Sequence, residues 1–519
     1  MFWREGRFIA PTLALRVCVA TVFAALLVSF SPVLAQADVV DDIKALLKQA
    51  QKENRKGHTD EAEKIYRKVI AANPNNTDAQ LALAYLLVKQ RRIREAYDLS
   101  FNIAKAQPSN ARAFAVLGTT FLVAGRFKEA RTCFLNALNM SRKEDLAWAG
   151  LGLVDFYENR IDNSVSNLEE ATFREPDEPD YQYTLGQVCA RAERYKEAAD
   201  AYQRFLLISN DLDDERRARI KGLVSFLNYL GAREELYNTD GADQTTVPVS
   251  LVGNRPVIKV KINGRKEPLN FVLDTGSGIS VISQKTAQQL KIYPVSRGGF
   301  ARGIGGDGKF AIIYGFVREM EIGDVKIRNV PVYLREFHGA NEDIDGYIGL
   351  SLISKFLTTI DYGSQTFALT KRSADPPSPE DEDLALPLRL TSSGFLSGEV
   401  KLEGVDDTFN FIVDTGASVS VISDQLAGLQ EVSRFEQGER MRVVGSAGIT
   451  EDVHSFLLPK VTFGSHSRQG VAAIALDLDL INEASGFQQA GILGGNFLRN
   501  YKLTFDFKNS RVTFIPITK

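Results

Sequence analysis

Two stretches of the chain read almost alike: residues 270–283 are NFVLDTGSGISVIS, and residues 410–423 are NFIVDTGASVSVIS. Nine of the fourteen positions are identical, and each stretch contains Asp-Thr-Gly, beginning at Asp274 and Asp414. The flanking apolar runs are short and rich in Val, Ile and Phe, which predicts buried β-strands. Each Asp-Thr-Gly is therefore expected in a turn at the end of a strand.

Further matches follow each Asp-Thr-Gly motif. They are DGYIG at 345–349 with AGILG at 490–494, and IDY at 360–362 with FDF at 505–507. The offset between the copies is 140 residues at the first motif and 145 residues at the later ones. Such a small difference in length, together with the order of the motifs, indicates an internal duplication.

The duplication divides the C-terminal region into two halves, residues 248–372 and 386–519. Residues 373–385, between them, are rich in Pro and acidic residues, which predicts a linker. Residues 237–247, upstream, are polar and contain Gly, and they are also predicted to be a linker. In the first half, Asn263-Gly264 lies between alternating runs, which is typical of a β-hairpin.

Asp-Thr-Gly between apolar strands resembles the aspartic protease family, because two apolar residues and Gly follow 75 and 80 residues after Asp274 and Asp414. The short halves are similar to retropepsin-like proteases, of the retroviral type, more than to the larger lobes of pepsins. The resemblance implies two all-β acid-protease halves that form a pseudo-dimer. It also implies an aspartic endopeptidase that hydrolyses a peptide or protein substrate, with Asp274 and Asp414 as its catalytic pair and with no metal or other cofactor.

The residues after each aspartate are expected to support the active-site loops. Gly276 and Gly416 allow a tight turn that brings a backbone N–H toward the carboxylate. The resemblance implies that Thr275 and Thr415 join the two loops by reciprocal hydrogen bonds.

The two motifs differ at the next position. Ser277 is able to donate a hydrogen bond to Asp274, whereas Ala417 cannot do the same for Asp414. Two neighbouring carboxylates cannot both ionise without a large cost, so the pair is expected to share one proton. The difference at Ser277 is expected to influence which aspartate holds that proton.

Proteases of this family close a hairpin flap over the substrate. Two Gly-rich segments lie where flaps are expected, with Gly303, Gly305 and Gly306 in the first half and Gly445 and Gly448 in the second. Glycines suit a mobile hairpin tip that approaches a peptide backbone. The alternative is that both segments are ordinary Gly-rich turns.

A period of 34 residues runs through the N-terminal region. It is visible in Gly118, Gly152 and Gly186, while GRFKEA at 125–130 and RYKEA at 194–198 resemble the turn and second-helix start of a tetratricopeptide repeat (TPR). The resemblance implies an α-solenoid of five repeats with a capping helix to about residue 236. The predicted repeats are 43–76, 77–110, 111–144, 145–178 and 179–212.

The repeat array is expected to bind a substrate or a partner protein, because stacked repeats form an extended surface. The alternative is that the array only spaces or self-associates the chain. Since a linker is predicted at 237–247, we expect the two regions to fold separately. Residues 246–519 alone are then expected to be soluble and active on a generic peptide.

The first 37 residues have the features of an export signal. Arg4 and Arg7 precede an apolar run at 17–35, and Ala35-Gln36-Ala37 is a cleavage site of the A-x-A type. We therefore expect an exported bacterial protein, periplasmic or secreted. If residues 17–35 are not removed, the run is long enough to anchor the chain in a membrane.

The remaining composition excludes several function classes. The 62 Lys and Arg residues are balanced by 65 Asp and Glu residues, so no basic surface for nucleic acid is expected. Cys133 and Cys189 are too few for a disulfide framework. The sequence therefore predicts a multidomain α + β protease, and the competing interpretation is a peptide-binding scaffold that keeps the protease fold without cleavage.

Overall fold

A computed structural model describes residues 42–209, 214–233, 235–306, 308–338, 343–371 and 385–517. The predicted signal at 1–37 and residues 373–384 of the second predicted linker lie outside the described residues. The chain divides into two compact units between Leu87 and Val88, which are described separately.

Eleven helices form the first part of the described chain. They are α1 (residues 42–55), α2 (Thr59–Ala72), α3 (Thr77–Lys89), α4 (Ile93–Ala106), α5 (Ala111–Val123), α6 (Phe127–Met140), α7 (Asp145–Tyr157), α8 (Ile161–Arg174), α9 (Pro179–Arg191), α10 (Tyr195–Ile208) and α11 (Asp214–Gly231). In the first unit, α2 buries Ala62, Tyr66 and Val69 on one face.

The 34-residue glycines allow the two helices of a pair to pack closely. A Cβ atom at Gly118 would lie 2.7 Å from the Phe134 ring, and one at Gly152 would lie 2.7 Å from Leu168. Each large side chain lies on the second helix of the pair and is fully buried there. The repeated Gly therefore makes room for a repeated large residue sixteen positions later.

Twenty-three strands follow in the described part of the C-terminal region. They are β1 (Asn238–Gly241), β2 (Gln244–Pro248), β3 (Ser250–Val252), β4 (Arg255–Ile262), β5 (Leu269–Leu273), β6 (Val281–Ser283), β7 (Ser296–Arg302), β8 (Lys309–Ile322), β9 (Val325–Arg335), β10 (Gly346–Ile348), β11 (Phe356–Asp361), β12 (Thr366–Lys371), β13 (Ala385–Pro387), β14 (Arg389–Leu390), β15 (Leu396–Leu402), β16 (Thr408–Val413), β17 (Ser420–Ser423), β18 (Glu436–Val444), β19 (Ile449–Phe463), β20 (His466–Leu476), β21 (Gly491–Leu493), β22 (Tyr501–Asp506) and β23 (Arg511–Pro516).

Six short helices lie between these strands within the same described ranges. They are α12 (Gln284–Gln289), α13 (Leu350–Ile353), α14 (Asp424–Ala427), α15 (Gln430–Ser433), α16 (Asp479–Ser485) and α17 (Gly495–Leu498). Ser283 and Ser423 occupy the same place in the two halves, and each caps the helix that follows it by accepting a backbone N–H.

The strands form three sheets. The sheet of the first half has the order β1-β9-β6-β10-β5-β4-β8-β7, and the sheet of the second half has the order β14-β15-β16-β21-β17-β20-β19-β18. In both, a parallel pair joins the strand before Asp-Thr-Gly to a later strand, as β5 with β10 and β16 with β21. The duplication in the sequence is therefore a duplication in topology.

The third sheet contains strands from both halves, in the order β13-β23-β22-β11-β12-β2. At its centre β11 pairs antiparallel with β22, and Thr359 lies opposite Thr504. Their hydroxyl oxygens are 3.1 Å apart. Because these two threonines are equivalent residues of the duplication, the halves are related by an approximate twofold axis near this pair.

The predicted linker at 237–247 is wrong, because most of this segment is part of two sheets. Residues 238–241 form β1, which pairs with β9, and residues 244–248 form β2, which pairs with β12. A backbone that is polar in sequence gains regular hydrogen bonds when it completes a sheet edge. The segment therefore ties the helices to the sheets rather than separating them.

Four turn residues in the helical region recur at the 34-residue period: Arg91, Gly125, Asn159 and Glu193. Each joins the two helices of a pair and has a positive φ, of 59°, 77°, 59° and 63° respectively. This left-handed conformation closes a short turn between helices. We call these four residues the docking edge.

Every member of the docking edge contacts the β region. The polar contacts are Arg91 Nη2 donating to the Asn482 carbonyl, Asn159 Nδ2 donating to the Phe507 carbonyl at 3.1 Å, and Glu193 paired with Lys355. At Gly125 the approach is closest, since a Cβ there would lie 2.1 Å from the Asn410 amide. The repeat turns are therefore an interface within the chain.

Apolar packing strengthens this interface. Phe487, which is fully buried, lies between Phe127 and Tyr157, with ring centroids 4.9 and 5.0 Å away. On α11, Phe226 stacks on Tyr314 of β8 at 4.5 Å and belongs to the same hydrophobic core as both β halves. The expected separate folding of the two regions is therefore not supported by the packing.

No helix in the described parts of the chain is both long enough and apolar enough to span a bilayer.

We predict that residues 246–519 alone do not form a stable fold. This fragment lacks β1, part of β2 and all of α11, and it exposes Phe487 and the face of Tyr314. Loss of each large buried aromatic contact typically costs about 3–5 kcal/mol. Solubility and thermal unfolding by circular dichroism, compared with the full chain, check this. A soluble fragment with a cooperative transition at the temperature of the full chain would contradict it.

Candidate active site

Two equivalent strands bring the aspartates to the twofold axis. Asp274 follows β5 and Asp414 follows β16, and each continues the parallel pairing of its strand. The Asp274 N–H donates to the Ile348 carbonyl and the Asp414 N–H donates to the Leu493 carbonyl, both at 2.9 Å. The later Gly motif of each half therefore fixes where the Asp-Thr-Gly loop begins.

The glycine that ends each later motif is required by close backbone contact. A Cβ at Gly349 would lie 2.7 Å from the Ser277 carbonyl oxygen, and one at Gly494 would lie 2.5 Å from the Val419 carbonyl oxygen. Any larger residue would push the loop away from its strand. The spacing between Asp-Thr-Gly and the later Gly thus reflects direct contact.

Thr275 and Thr415 form a reciprocal brace between the loops. The Thr275 hydroxyl donates to the Val413 carbonyl at 2.6 Å and accepts from the Thr415 N–H at 3.1 Å. The Thr415 hydroxyl donates to the Leu273 carbonyl at 2.7 Å and accepts from the Thr275 N–H at 3.1 Å. Both side chains are fully buried, so solvent does not compete for these bonds.

The brace places each glycine against the aspartate of the other half. A Cβ at Gly276 would lie 2.4 Å from the Asp414 carboxyl carbon, and one at Gly416 would lie 2.7 Å from that of Asp274. The Gly276 N–H donates to Asp274 at 2.9 Å, and the Gly416 N–H donates to Asp414 at 2.7 Å. Only glycine leaves room for the two carboxyls to meet.

The two carboxyls are buried together and hydrogen-bonded to each other. Burial raises the pKa of Asp274 well above its usual value, and the charge of Asp414 raises it further. Burial also raises the pKa of Asp414, while hydrogen bonds from Asp274 and the loop N–H groups oppose the rise. The pair therefore retains a proton at a pH where isolated carboxyls are ionised.

Two hairpin tips meet near this pair. The first tip, residues 303–308, joins β7 to β8, and the second, 445–448, joins β18 to β19. The Ala447 N–H donates to the Ile304 carbonyl at 2.8 Å, and the Gly306 N–H donates to the Ile449 carbonyl at 3.1 Å. The tips are thus joined by backbone hydrogen bonds.

All five predicted flap glycines lie at this meeting point. Gly305, Gly306 and Gly448 have positive φ, while a Cβ at Gly303 or Gly445 would lie 2.2 Å from an atom of the opposite tip. Glycine is therefore needed both for the turns and for the contact between them.

Family models match three parts of the chain. The aspartyl protease model matches residues 258–352 and 398–497, and the tetratricopeptide repeat model matches 149–213. The model of subunit 3 of the anaphase-promoting complex, or cyclosome, matches residues 55–137. The chain carries an aspartyl protease domain in two segments, preceded by tetratricopeptide repeats.

Individual relatives resemble the repeat region. The curated protein BBSome complex member BBS4 of Bos taurus is 24% identical over 143 residues, which is 28% of this chain and 28% of that protein. The chain thus matches less than a third of that relative's length. A thermophilic TPR protein of Thermus thermophilus is 19% identical, with a TM-score of 0.31, over 35% of this chain and 98% of that one. Pseudomonas aeruginosa PilF is 17% identical, with a TM-score of 0.28, over 37% and 87%.

One expectation about the protease loops is wrong. The Ser277 hydroxyl donates its proton to the Ile279 carbonyl at 2.7 Å, and it does not donate to Asp274. A hydroxyl has one proton to donate, and the nearby carbonyl takes it. The difference between Ser277 and Ala417 therefore does not bias the aspartate pair through a hydrogen bond to Asp274.

The structure adds two residues to the protease site that the sequence did not indicate. Burial raises the pKa of Tyr347, and the charges of both aspartates raise it further. The Arg335 charge opposes the rise that burial causes in the pKa of Asp274. Both residues therefore lie near the pair. A signal was present in the internal comparison, because Tyr347 occupies the position of Ile492 in the second half.

We predict that Thr275→Val destabilises the chain strongly. Valine fills the space but leaves the Val413 carbonyl and the Thr415 N–H buried without a partner. Each such group costs about 1–3 kcal/mol. Thr275→Ser keeps the hydroxyl and should lose much less. Urea unfolding of the three proteins measures the difference, and equal free energies of unfolding for the Val and Ser variants would contradict the role of the brace.

Proposed function

We propose that the chain is an aspartic endopeptidase with one active site, formed by Asp274 and Asp414. The observation that carries the proposal is the buried pair of carboxyls, held by the Thr275–Thr415 brace and admitted by two glycines. A strand-end turn needs none of these features. A protein that only binds peptides gains nothing from burying two carboxyls against each other, because the arrangement costs stability when they ionise.

The proposed reaction follows from the shared proton. The ionised carboxyl takes a proton from a water molecule, which then attacks the carbonyl carbon of the scissile peptide bond. The protonated carboxyl donates its proton to the carbonyl oxygen as the tetrahedral intermediate forms. Two carboxyls with one proton between them supply a base and an acid in the same step.

The hairpin tips are proposed to be flaps. They lie near the aspartates and are joined by only a few backbone hydrogen bonds, so a substrate can replace those bonds with its own. Closing over the substrate would exclude water and fix the scissile bond.

The repeats are proposed to bind a substrate or a partner protein. Their docking edge is occupied by the protease halves from Arg91 onward, so a partner must use another face. The same interface holds the array in one position relative to the active site. A protein bound there would be presented to the protease at a defined distance.

Export is a further part of the proposal and is supported by the charged start, the apolar run and the A-x-A site within residues 1–37. N-terminal sequencing of the protein from its own cells tests it. A mature chain that begins near Asp38 would support removal of the signal. A chain that keeps Met1 and stays in the membrane fraction would show an anchor instead.

We predict that Asp274→Asn and Asp414→Asn each lower peptide turnover by about 10²- to 10⁴-fold, the usual contribution of acid–base catalysis. The double variant should be no worse than either single one, because the two act as a unit. Asp452→Asn is a matched control, since Asp452 is exposed in a hairpin with a φ of 58° that suits Asn. Substantial turnover by either single variant would overturn the one-site proposal.

Stability gives a second readout for the same variants. Burial raises the pKa of both aspartates in the folded chain above the unfolded value of about 3.9. The folded chain therefore holds more protons above that pH, and its stability should fall as the pH rises from about 4. The Asn variants should fall less. Inactive variants that are also less stable than wild type at neutral pH would indicate misfolding instead of lost chemistry.

A further inference from the structure

Equivalent positions in the two protease halves carry opposite chemistry. In the first half, Arg335 lies opposite Ser283 where β9 pairs with β6. In the second half, Leu476 lies opposite Ser423 where β20 pairs with β17. Because Ser283 and Ser423 are equivalent, Arg335 and Leu476 are equivalent too.

Two further pairs show the same contrast. Tyr347 on β10 is equivalent to Ile492 on β21, since both precede the last residue of the parallel pairing. Arg255, which begins β4, is equivalent to Phe395, which precedes β15. The first wall, defined by Arg255, Arg335 and Tyr347, is therefore cationic and polar. The second wall, defined by Phe395, Leu476 and Ile492, is apolar.

Both walls lie beside the aspartates. In the first wall, the charge of Asp274 acts on both Arg335 and Tyr347. In the second wall, Leu476 and Ile492 belong to an apolar cluster that also contacts Ala417, three residues after Asp414. A peptide that crosses the active site would therefore place its side chains against one wall and then the other.

The hairpin tips already contact both walls. Ile304 of the first tip packs against the apolar cluster of the second wall. Arg335 of the first wall donates from Nη2 to the carbonyl of Ser446 in the second tip at 2.9 Å. An apolar side chain thus lies at one wall, and an oxygen acceptor lies at the other. These contacts show the chemistry that each wall accepts.

Arg335 has donors left over. Its guanidinium lies over the Phe310 ring at 4.6 Å, and its Nε is buried without a hydrogen-bond partner. Among the residues that the structure describes, no carboxylate lies within 4.0 Å of it. A half-buried guanidinium with an unused donor and no counter-ion is suited to a carboxylate, which it can bind with two parallel hydrogen bonds.

We infer that Arg335 is a specificity-determining residue that selects an Asp or Glu side chain on one side of the scissile bond, while the second wall selects an apolar side chain on the other. The inference rests on the proposed protease function. It assigns Arg335 a role in choosing the substrate and no part in the reaction itself.

The test uses the full chain and a random peptide library, with cleavage sites read by mass spectrometry. We expect Asp or Glu to be enriched at one residue beside the scissile bond and apolar residues at the other. For matched peptides that differ only by Glu against Gln, kcat/KM should favour Glu by about ten- to a hundredfold, as for a hydrogen-bonded charge. Cleavage without acidic enrichment would overturn the inference and leave the proposed function intact.

Arg335→Leu places the residue of the second wall in the first. This variant should lose the preference for Glu and cleave peptides with apolar residues on both sides at a rate near that of wild type. Arg335→Lys should keep part of the preference. Arg328→Leu is the control, because Arg328 lies exposed on the same strand, about 23 Å away at 3.3 Å per residue. An unchanged preference in Arg335→Leu would overturn the inference.

The charge of the substrate gives an independent readout. The Glu to Gln ratio for wild type should fall toward one as the pH drops through about 4.3, where the substrate carboxylate is protonated. A ratio that does not change with pH would show that the charge is not being recognised.

Failure of the protease proposal is distinguishable from failure of this one. If wild type cleaves no library peptide, the proposed function fails, and peptides retained by the immobilised full chain then report on Arg335 without turnover. Acidic enrichment among retained peptides that disappears in Arg335→Leu supports the inference. Retained peptides with no acidic enrichment overturn it.

Discussion

The reciprocal brace between Thr275 and Thr415 is the interaction on which the site depends. Each hydroxyl uses both its proton and a lone pair on the other half, and both side chains are fully buried. Because the two loops are joined backbone to side chain, the carboxyls at their start are forced together. The two glycines and the raised pKa of the pair are consequences of that constraint.

A pair held this tightly requires that the halves be fixed elsewhere as well. The shared sheet fixes them at Thr359 and Thr504, and the helical region fixes them from outside through the docking edge and α11. The first hairpin is also held, since Ser296 at its base donates to the Gly222 carbonyl of α11 at 2.7 Å. From Val88 onward the chain is therefore one framework in which the repeats support the protease, although each region has its own periodicity.

The sequence predicts most of what depends on local pattern or on repetition. The helix pairs, the two β halves, the aspartate loops and the glycines of the hairpin tips all leave such a signal. The docking edge does not, because its members are Arg, Gly, Asn and Glu and share only a backbone conformation. The segment at 237–247 has the composition of a linker because its strands are short and polar, and their partners, β9 and β12, are distant in sequence. Arg335 leaves no signal of its own, since a single charge at the end of a strand is common.

The central claim is that one chain contains one complete site. The most direct test is the specific activity of wild type from about 10 µM to about 1 nM, with the mass in solution followed by sedimentation. Because the halves are joined in one chain, their effective concentration is about millimolar, far above this range. We predict a constant specific activity carried by a monomer. A specific activity that falls on dilution together with the loss of a dimer would contradict the claim.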